Sequence, residues 1–219
     1  MKIIGGDETM LKVFVPYTEN IKNILDMLVH SADGISDVKV IPCEFFGHRP
    51  PDLMLGETAK DSYMSLMVER WKLLPQLIED NMGENICWLD ADCVFNKNMN
   101  SFCKTINEEL DLNDFAFQYD TNSYMSNQVN MGICAVKCSQ NTLKFVNDWL
   151  SNIIIQTDRV AGFPQLEWND WLSKKEEYNV SFSILPQTFG YLTEGCVIYH
   201  AIGTPDKMGA LNHALRLFS

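Results

Sequence analysis

Apolar positions along the chain fall into short runs, separated by polar stretches that carry proline and glycine, and the spacing inside each run predicts an element. Leu11–Pro16 (LKVFVP) is β-rich and stopped by proline, after which Thr18 and Asn20 offer caps for a helix through about His30. Asp37–Pro42 (DVKVIP) predicts a second buried strand, and Gly47–Gly56 a loop of the kind that borders sites. From Thr58 to about Asp80, residues Met64, Met67, Trp71, Leu74 and Ile78 recur at helical spacing, with a kink or break expected at Pro75. Ile86–Leu89 (ICWL) is a clean hydrophobic strand. Asn98–Glu109 predicts a helix, Asp114–Tyr119 a strand, Thr121–Gln128 a polar turn, Met131–Val136 a strand, and Ser139 to about Ile155 a long helix. A loop with Gly162 and Pro164 leads to a shorter helix ending near Lys175. Val180–Leu185 alternates like a half-exposed strand, Cys196–His200 is a last short strand, and Lys207–Phe218 is a terminal helix.

The β-α-β opening and the mixed later strands predict one α/β domain over residues 1–219. Its Rossmann-like open sheet should carry helices on both faces and bind ligands beyond the carboxyl ends of its strands. Composition agrees: 46% hydrophobic and 21% charged residues are enough for a sizeable core. The net charge of −12 changes the picture more, because an acidic surface repels phosphate backbones and argues against nucleic-acid partners. The same field repels a nucleotide diphosphate unless a divalent cation intervenes.

Seven cysteines, odd in number and without a C-x-x-C pair, lie largely in apolar runs. They read as reduced, buried thiols with no structural disulfide, which implies a reducing, cytoplasmic compartment. No stretch is long and apolar enough to form an integral membrane segment, and Met1–Gly6 lacks the hydrophobic core of a signal peptide.

The strongest chemical signal is Ile86 to Phe95, ICWLDADCVF. In an extended backbone residues i and i+2 share a face, so Asp90 and Asp92 can approach one cation, with the small Ala91 between them. Two carboxylates 5–6 Å apart repel by roughly 1–3 kcal/mol at an effective dielectric near 20, and hard oxygen ligands suit Mg²⁺ or Mn²⁺. This segment resembles the D-x-D motif of GT-A glycosyltransferases, in particular the nucleotide-diphospho-sugar transferase group.

Further blocks match that group in order. They are Glu69-Arg70-Trp71-Lys72-Leu73-Leu74-Pro75, Asn130-Met131-Gly132, Pro164-Gln165-Leu166-Glu167-Trp168-Asn169, and Tyr199-His200-Ala201-Ile202-Gly203 with Lys207. The resemblance runs from about Leu11 to Lys207. It departs at Pro164, where the family has an aspartate, and at Lys207, one residue further from His200 than usual.

The resemblance implies a nucleoside diphosphate sugar donor, UDP- or GDP-linked, and a hydroxyl acceptor. It makes His200 a third metal ligand, and an imidazole tilts preference toward Mn²⁺. Lys72 and Lys207 become partners of the diphosphate, with Lys207 in a Gly203–Gly209 segment expected to order when phosphate arrives. Asn130 and Gly132 would face the donor sugar, and Tyr17 and Thr18 the base. Gln165, Glu167 and Asp170 crowd one helix start, where Glu167 or Asp170 would be the base if the reaction inverts. Relatives with the closing H-x-x-G are mostly retaining, so retention is expected. The Trp149, Trp168 and Trp171 group, at helical spacing, reads as core rather than a sugar platform. Two alternatives remain: an idle nucleotide-sugar-binding domain, and a haloacid-dehalogenase-type phosphatase, whose nucleophile loop Asp90–Val94 also fits.

Overall fold

A computed structural model describes residues 10–45, 66–98, 101–120, 129–157 and 164–219, with only the backbone given at 154–157 and 164–166. Strand β1 (Leu11–Tyr17), a 3₁₀ turn (Glu19–Ile21), helix α1 (Lys22–Ala32) and β2 (Val38–Glu44) form the opening unit. A helical segment over residues 66–71 (α2) and α3 (Leu73–Asp80) lead into β3 (Asn85–Leu89) and β4 (Cys93–Phe95). Helix α4 (Phe102–Leu112), β5 (Phe115–Tyr119), β6 (Val129–Lys137) and α5 (Gln140–Thr157) follow. The chain closes with α6 (Pro164–Trp171), a 3₁₀ stretch (Leu172–Tyr178), β7 (Phe182–Ile184), β8 (Phe189–Gly190), β9 (Ile198–His200) and α7 (Lys207–Phe218).

Six strands form one mixed sheet in the order β2-β1-β3-β6-β5-β7. Strand β1 runs parallel to both β2 and β3, β6 is antiparallel to β3 and β5, and β7 is parallel to β5. The predicted α/β architecture is therefore present. Its central strands read as continuous apolar runs because both faces are covered. Ile86 and Trp88 of β3 point into one core layer, Cys87 and Leu89 into the other, and none of the four is exposed.

The first layer holds all five tryptophans. Trp71 stacks on Trp88 at 4.7 Å, and Trp149 meets Trp168 edge-on at 4.5 Å. Each buried indole removes a large apolar area from water, which is why this layer anchors α2, α3, α5 and α6. The second layer receives α1 and α4 through Leu25, Leu28, Ile106 and Leu110.

Two departures from the predicted elements matter for the site. The break in the Thr58–Asp80 helix falls at Lys72 rather than at Pro75. A proline ring crowds the carbonyl four residues earlier, here Trp71, so the disturbance appears upstream of the proline itself. The part before residue 66 lies outside the described residues, as do the loop at 47–56 and the turn at 121–128. The second departure is a small sheet, β4-β9-β8, that periodicity did not predict. Strands of two or three residues leave too few positions for a period to show.

Candidate active site

Asp90, Ala91 and Asp92 link the two sheets. The Asp90 N–H donates to Gly132 O at 2.8 Å, which ties it to β6, while Asp92 O accepts from Ala201 N at 2.9 Å beyond β9. The backbone turns at Ala91 and Asp92 instead of continuing β3. Convergence of the two carboxylates thus comes from a turn spanning two sheets and not from the strand alternation expected above. Cys93 pairs with His200 across the antiparallel β4–β9 ladder, and this register brings the imidazole to the turn.

His200 Nε2 lies 3.5 Å from Asp90 Oδ2 and 3.3 Å from Asp92 Oδ1. One ligand atom from each of the three residues falls within 4.8 Å of the others, the only such group among the described residues. Two more cations complete the arrangement. Arg70 Nη2 donates to Asp90 Oδ1, and Lys207 Nζ reaches Asp92 Oδ2 at 2.6 Å while also donating to Ala201 O. The Arg70 guanidinium lies 5.0 Å from the Trp71 ring and 5.3 Å from that of Trp88. Its face is held by the tryptophan layer while its edge meets the carboxylate.

These contacts set the protonation states. Burial works to raise the Asp90 carboxyl, but Arg70 and then His200 outweigh it and hold it below the usual carboxylate range. Burial likewise opposes ionisation of Asp92, but His200 and then Lys207 outweigh it and hold that carboxyl well below the usual range. For His200 burial alone would favour the neutral ring, yet Asp92 and Asp90 push it up to about 9.

A cavity of about 230 Å³ opens over this cluster. Thr18, Ala91, Asn130 and Gly203 line it together with the charged residues, and Ile21, Ile24 and Phe45 form an apolar wall at the end of β1. Gly203 sits at φ 65°, the left-handed region that glycine enters without strain. The cavity therefore unites Thr18, Asp90, Ala91, Asp92, Asn130, His200, Gly203 and Lys207 of the predicted set.

Others lie elsewhere. Lys72 pairs with Glu69 on the outer side of its helix and is not a cavity residue; Arg70, two positions earlier, faces the aspartates. Tyr17 packs against the second core layer. Gly132 makes room for the His200 ring, with which an added Cβ would collide. Glu167 and Asp170 do not line the cavity. The adjacent Asn169 clamps the start of β6, accepting from Val129 N and donating to Val129 O. The Gln165 side chain is outside the described residues. Lys207, in the segment expected to order when phosphate arrives, is already engaged by Asp92.

Sequence reasoning missed Arg70, Phe45 and Gln118. Gln118 is fully buried, with Oε1 2.9 Å from His200 Nδ1. Its signal was available as a lone amide in the apolar run Phe115–Tyr119. Arg70 stood inside the quoted helix block, but an offset of two residues turns a helical side chain by more than half a turn.

The model of the nucleotide-diphospho-sugar transferase family matches residues 52–202. This chain belongs to that family. The transferase is a GT-A glycosyltransferase that uses a nucleoside diphosphate sugar and an acceptor. Solved structures share its fold at low identity. A glycosyltransferase involved in glycosylation of the major capsid of PBCV-1 aligns with TM-score 0.58 and 15% identity over 94% of this chain and 99% of that one. The galactosyltransferase LgtC, solved with donor and acceptor sugar analogs, gives 0.60 and 10% over 95% of each. The glycosyltransferase GlyE of Streptococcus pneumoniae TIGR4 gives 0.59 and 11%, covering 91% of this chain and 56% of that one. No curated protein sequence gave a match. The family assignment removes the phosphatase alternative. Among the described residues no helix is long and apolar enough to cross a membrane.

Proposed function

We propose that the transferase moves a sugar from a UDP- or GDP-linked donor to a hydroxyl acceptor, with retention, and depends on a divalent cation held by Asp90, Asp92 and His200. The observation that carries this is the convergence of two ionised carboxylates and one imidazole at the cavity floor. That donor set suits Mn²⁺, and Mg²⁺ less well. Such a cation would act as a Lewis acid on the diphosphate oxygens, offsetting charge on the leaving group.

The protein's own groups have complementary tasks. Arg70 and Lys207 hold aspartate oxygens and lie within reach of the space a diphosphate would occupy, so both can exchange a carboxylate for phosphate. Ile21, Ile24 and Phe45 offer an apolar wall for a base, beside the Thr18 hydroxyl. Asn130 presents an amide from β6, with Oδ1 already accepting from Gly132 N at 2.7 Å. Retention is supported by the cavity's acids: among the described residues only Asp90 and Asp92 line it, and both face the proposed cation. A front-face reaction needs no further base.

Asp92→Asn should abolish Mn²⁺-dependent binding of UDP or GDP while keeping a native circular dichroism spectrum, with the melting transition lowered by loss of the pairing to His200 and Lys207. Unchanged nucleotide affinity in that variant would refute the metal assignment. Donor hydrolysis with and without Mn²⁺, over a panel of nucleotide sugars, then separates an active transferase from an idle binding domain.

A further inference from the structure

Behind the imidazole, Gln118 occupies a position the fold has shaped with some care. It follows a break in the β5–β6 register, between Phe117 and Gln118, where Phe117 pairs with Cys134 and Gln118 with Asn130. Irregularities of this kind re-aim a side chain, and they concentrate near active sites. Room for the amide exists only because residue 190 is glycine at φ 117°: an added Cβ would collide with Gln118 Nε2 and Cδ. Room for the partner ring depends likewise on Gly132. Gln118 Nε2 is buried without a hydrogen-bond partner among the described residues, so the amide is not present to satisfy itself. Among the described residues its side chain makes one bond, Oε1 to His200 Nδ1 at 2.9 Å.

An imidazole can ligate through Nε2 only when the remaining proton sits on Nδ1. An amide oxygen is an acceptor only, so it favours that proton. We infer that Gln118 is a positioning residue that fixes the His200 tautomer, its Oε1 holding the proton on Nδ1 so that Nε2 is left to the cation that Asp90 and Asp92 would share. A carboxylate at this place would also accept, but it would add a third negative charge to a buried cluster that already has two. The neutral amide orients the ring without that charge. The role of the tautomer rests on the metal reading proposed above.

The experiment has two arms. In the protein loaded with diamagnetic Mg²⁺, ¹⁵N two-bond correlation spectra report which ring nitrogen of His200 carries the proton. Wild type should show the Nδ1–H tautomer, and an Nε2–H tautomer would overturn the inference. In the second arm, titration calorimetry measures Mn²⁺ binding to wild type, Gln118→Met and Gln118→Glu. Gln118→Met, which keeps the volume but not the acceptor, should bind about 10- to 100-fold more weakly, the range for an outer-shell partner of a ligating histidine. It should also populate both tautomers. Gln118→Glu restores the acceptor and should recover most of the affinity. Equal losses in the two variants, or wild-type affinity in a folded Gln118→Met, would overturn the positioning role. Failure of wild type to bind either cation would instead remove the metal reading, whereas wild-type binding with equal losses in the two variants would remove only the positioning role. If Gln118→Met does not fold, the wild-type tautomer and the Gln118→Glu titration remain decisive.

Discussion

The four carboxylate oxygens of Asp90 and Asp92 divide among three cations, with Arg70 on one end, Lys207 on the other and His200 between them. Protons and metal therefore compete for the same positions. The charged imidazole is favoured because the two carboxylates raise it to about 9, above its ordinary 6.5. Since the folded value is raised, this contribution to stability is complete below about 6.5 and lost as pH rises through about 9. Metal binding has the opposite sign, because ligation needs the neutral ring. Mn²⁺ affinity should rise about tenfold per pH unit between 6.5 and 8.5, as one proton is released per ion bound. Calorimetry across that interval checks this, and a flat profile would mean that His200 is not a ligand. At this scale the two aspartates were legible from type and spacing, and the histidine only through the family resemblance. Gln118 and Gly190 were not, because their importance lies in which atoms they touch across 82 and 72 positions of sequence.

Among the elements, α7 bears directly on the cavity. Asp206 caps it by accepting from Gly209 N at 2.8 Å, and that cap seats Lys207 in the first turn beside Asp92. Lys207→Ala should weaken nucleoside diphosphate binding by about 1–3 kcal/mol, the range for a charge-assisted contact. Because Lys207 also occupies an Asp92 oxygen, the same change should tighten Mn²⁺ binding in the absence of nucleotide. Paired titrations of Mn²⁺ and UDP check this, and unchanged Mn²⁺ affinity in Lys207→Ala would mean that Lys207 does not compete for the Asp92 oxygen. The terminal helix and most central strands were readable because their apolar periods run over five or more residues. Strands β4 and β8 were not, and with them went the true geometry of the Asp90–Asp92 turn, which depends on a second sheet to receive it.

For the molecule as a whole, the seven cysteines test the packing. All are free and six are buried, and burial raises the thiols of Cys138 and Cys196 to about 12 and about 11. An aromatic thiol reagent should therefore titrate no more than one site quickly in the native state, the half-buried Cys43, and seven after denaturation without reductant. A count well below seven would reveal a disulfide.

Asp90 is anchored to the large sheet and Asp92 to the small one, and among the described residues the two sheets share no ladder. A cation shared by Asp90, Asp92 and His200 would then work mechanically, as a rivet driven through two plates. Shear between the plates would change the spacing of the ligands, and a bound ion would resist that shear. With Mn²⁺ and UDP present, amides of 93–95 and 198–200 should exchange with deuterium more slowly, while those of β7 at the far edge of the large sheet should be unchanged. Equal slowing at both places would mean a general stiffening, and the small sheet would then have no special coupling to the ion.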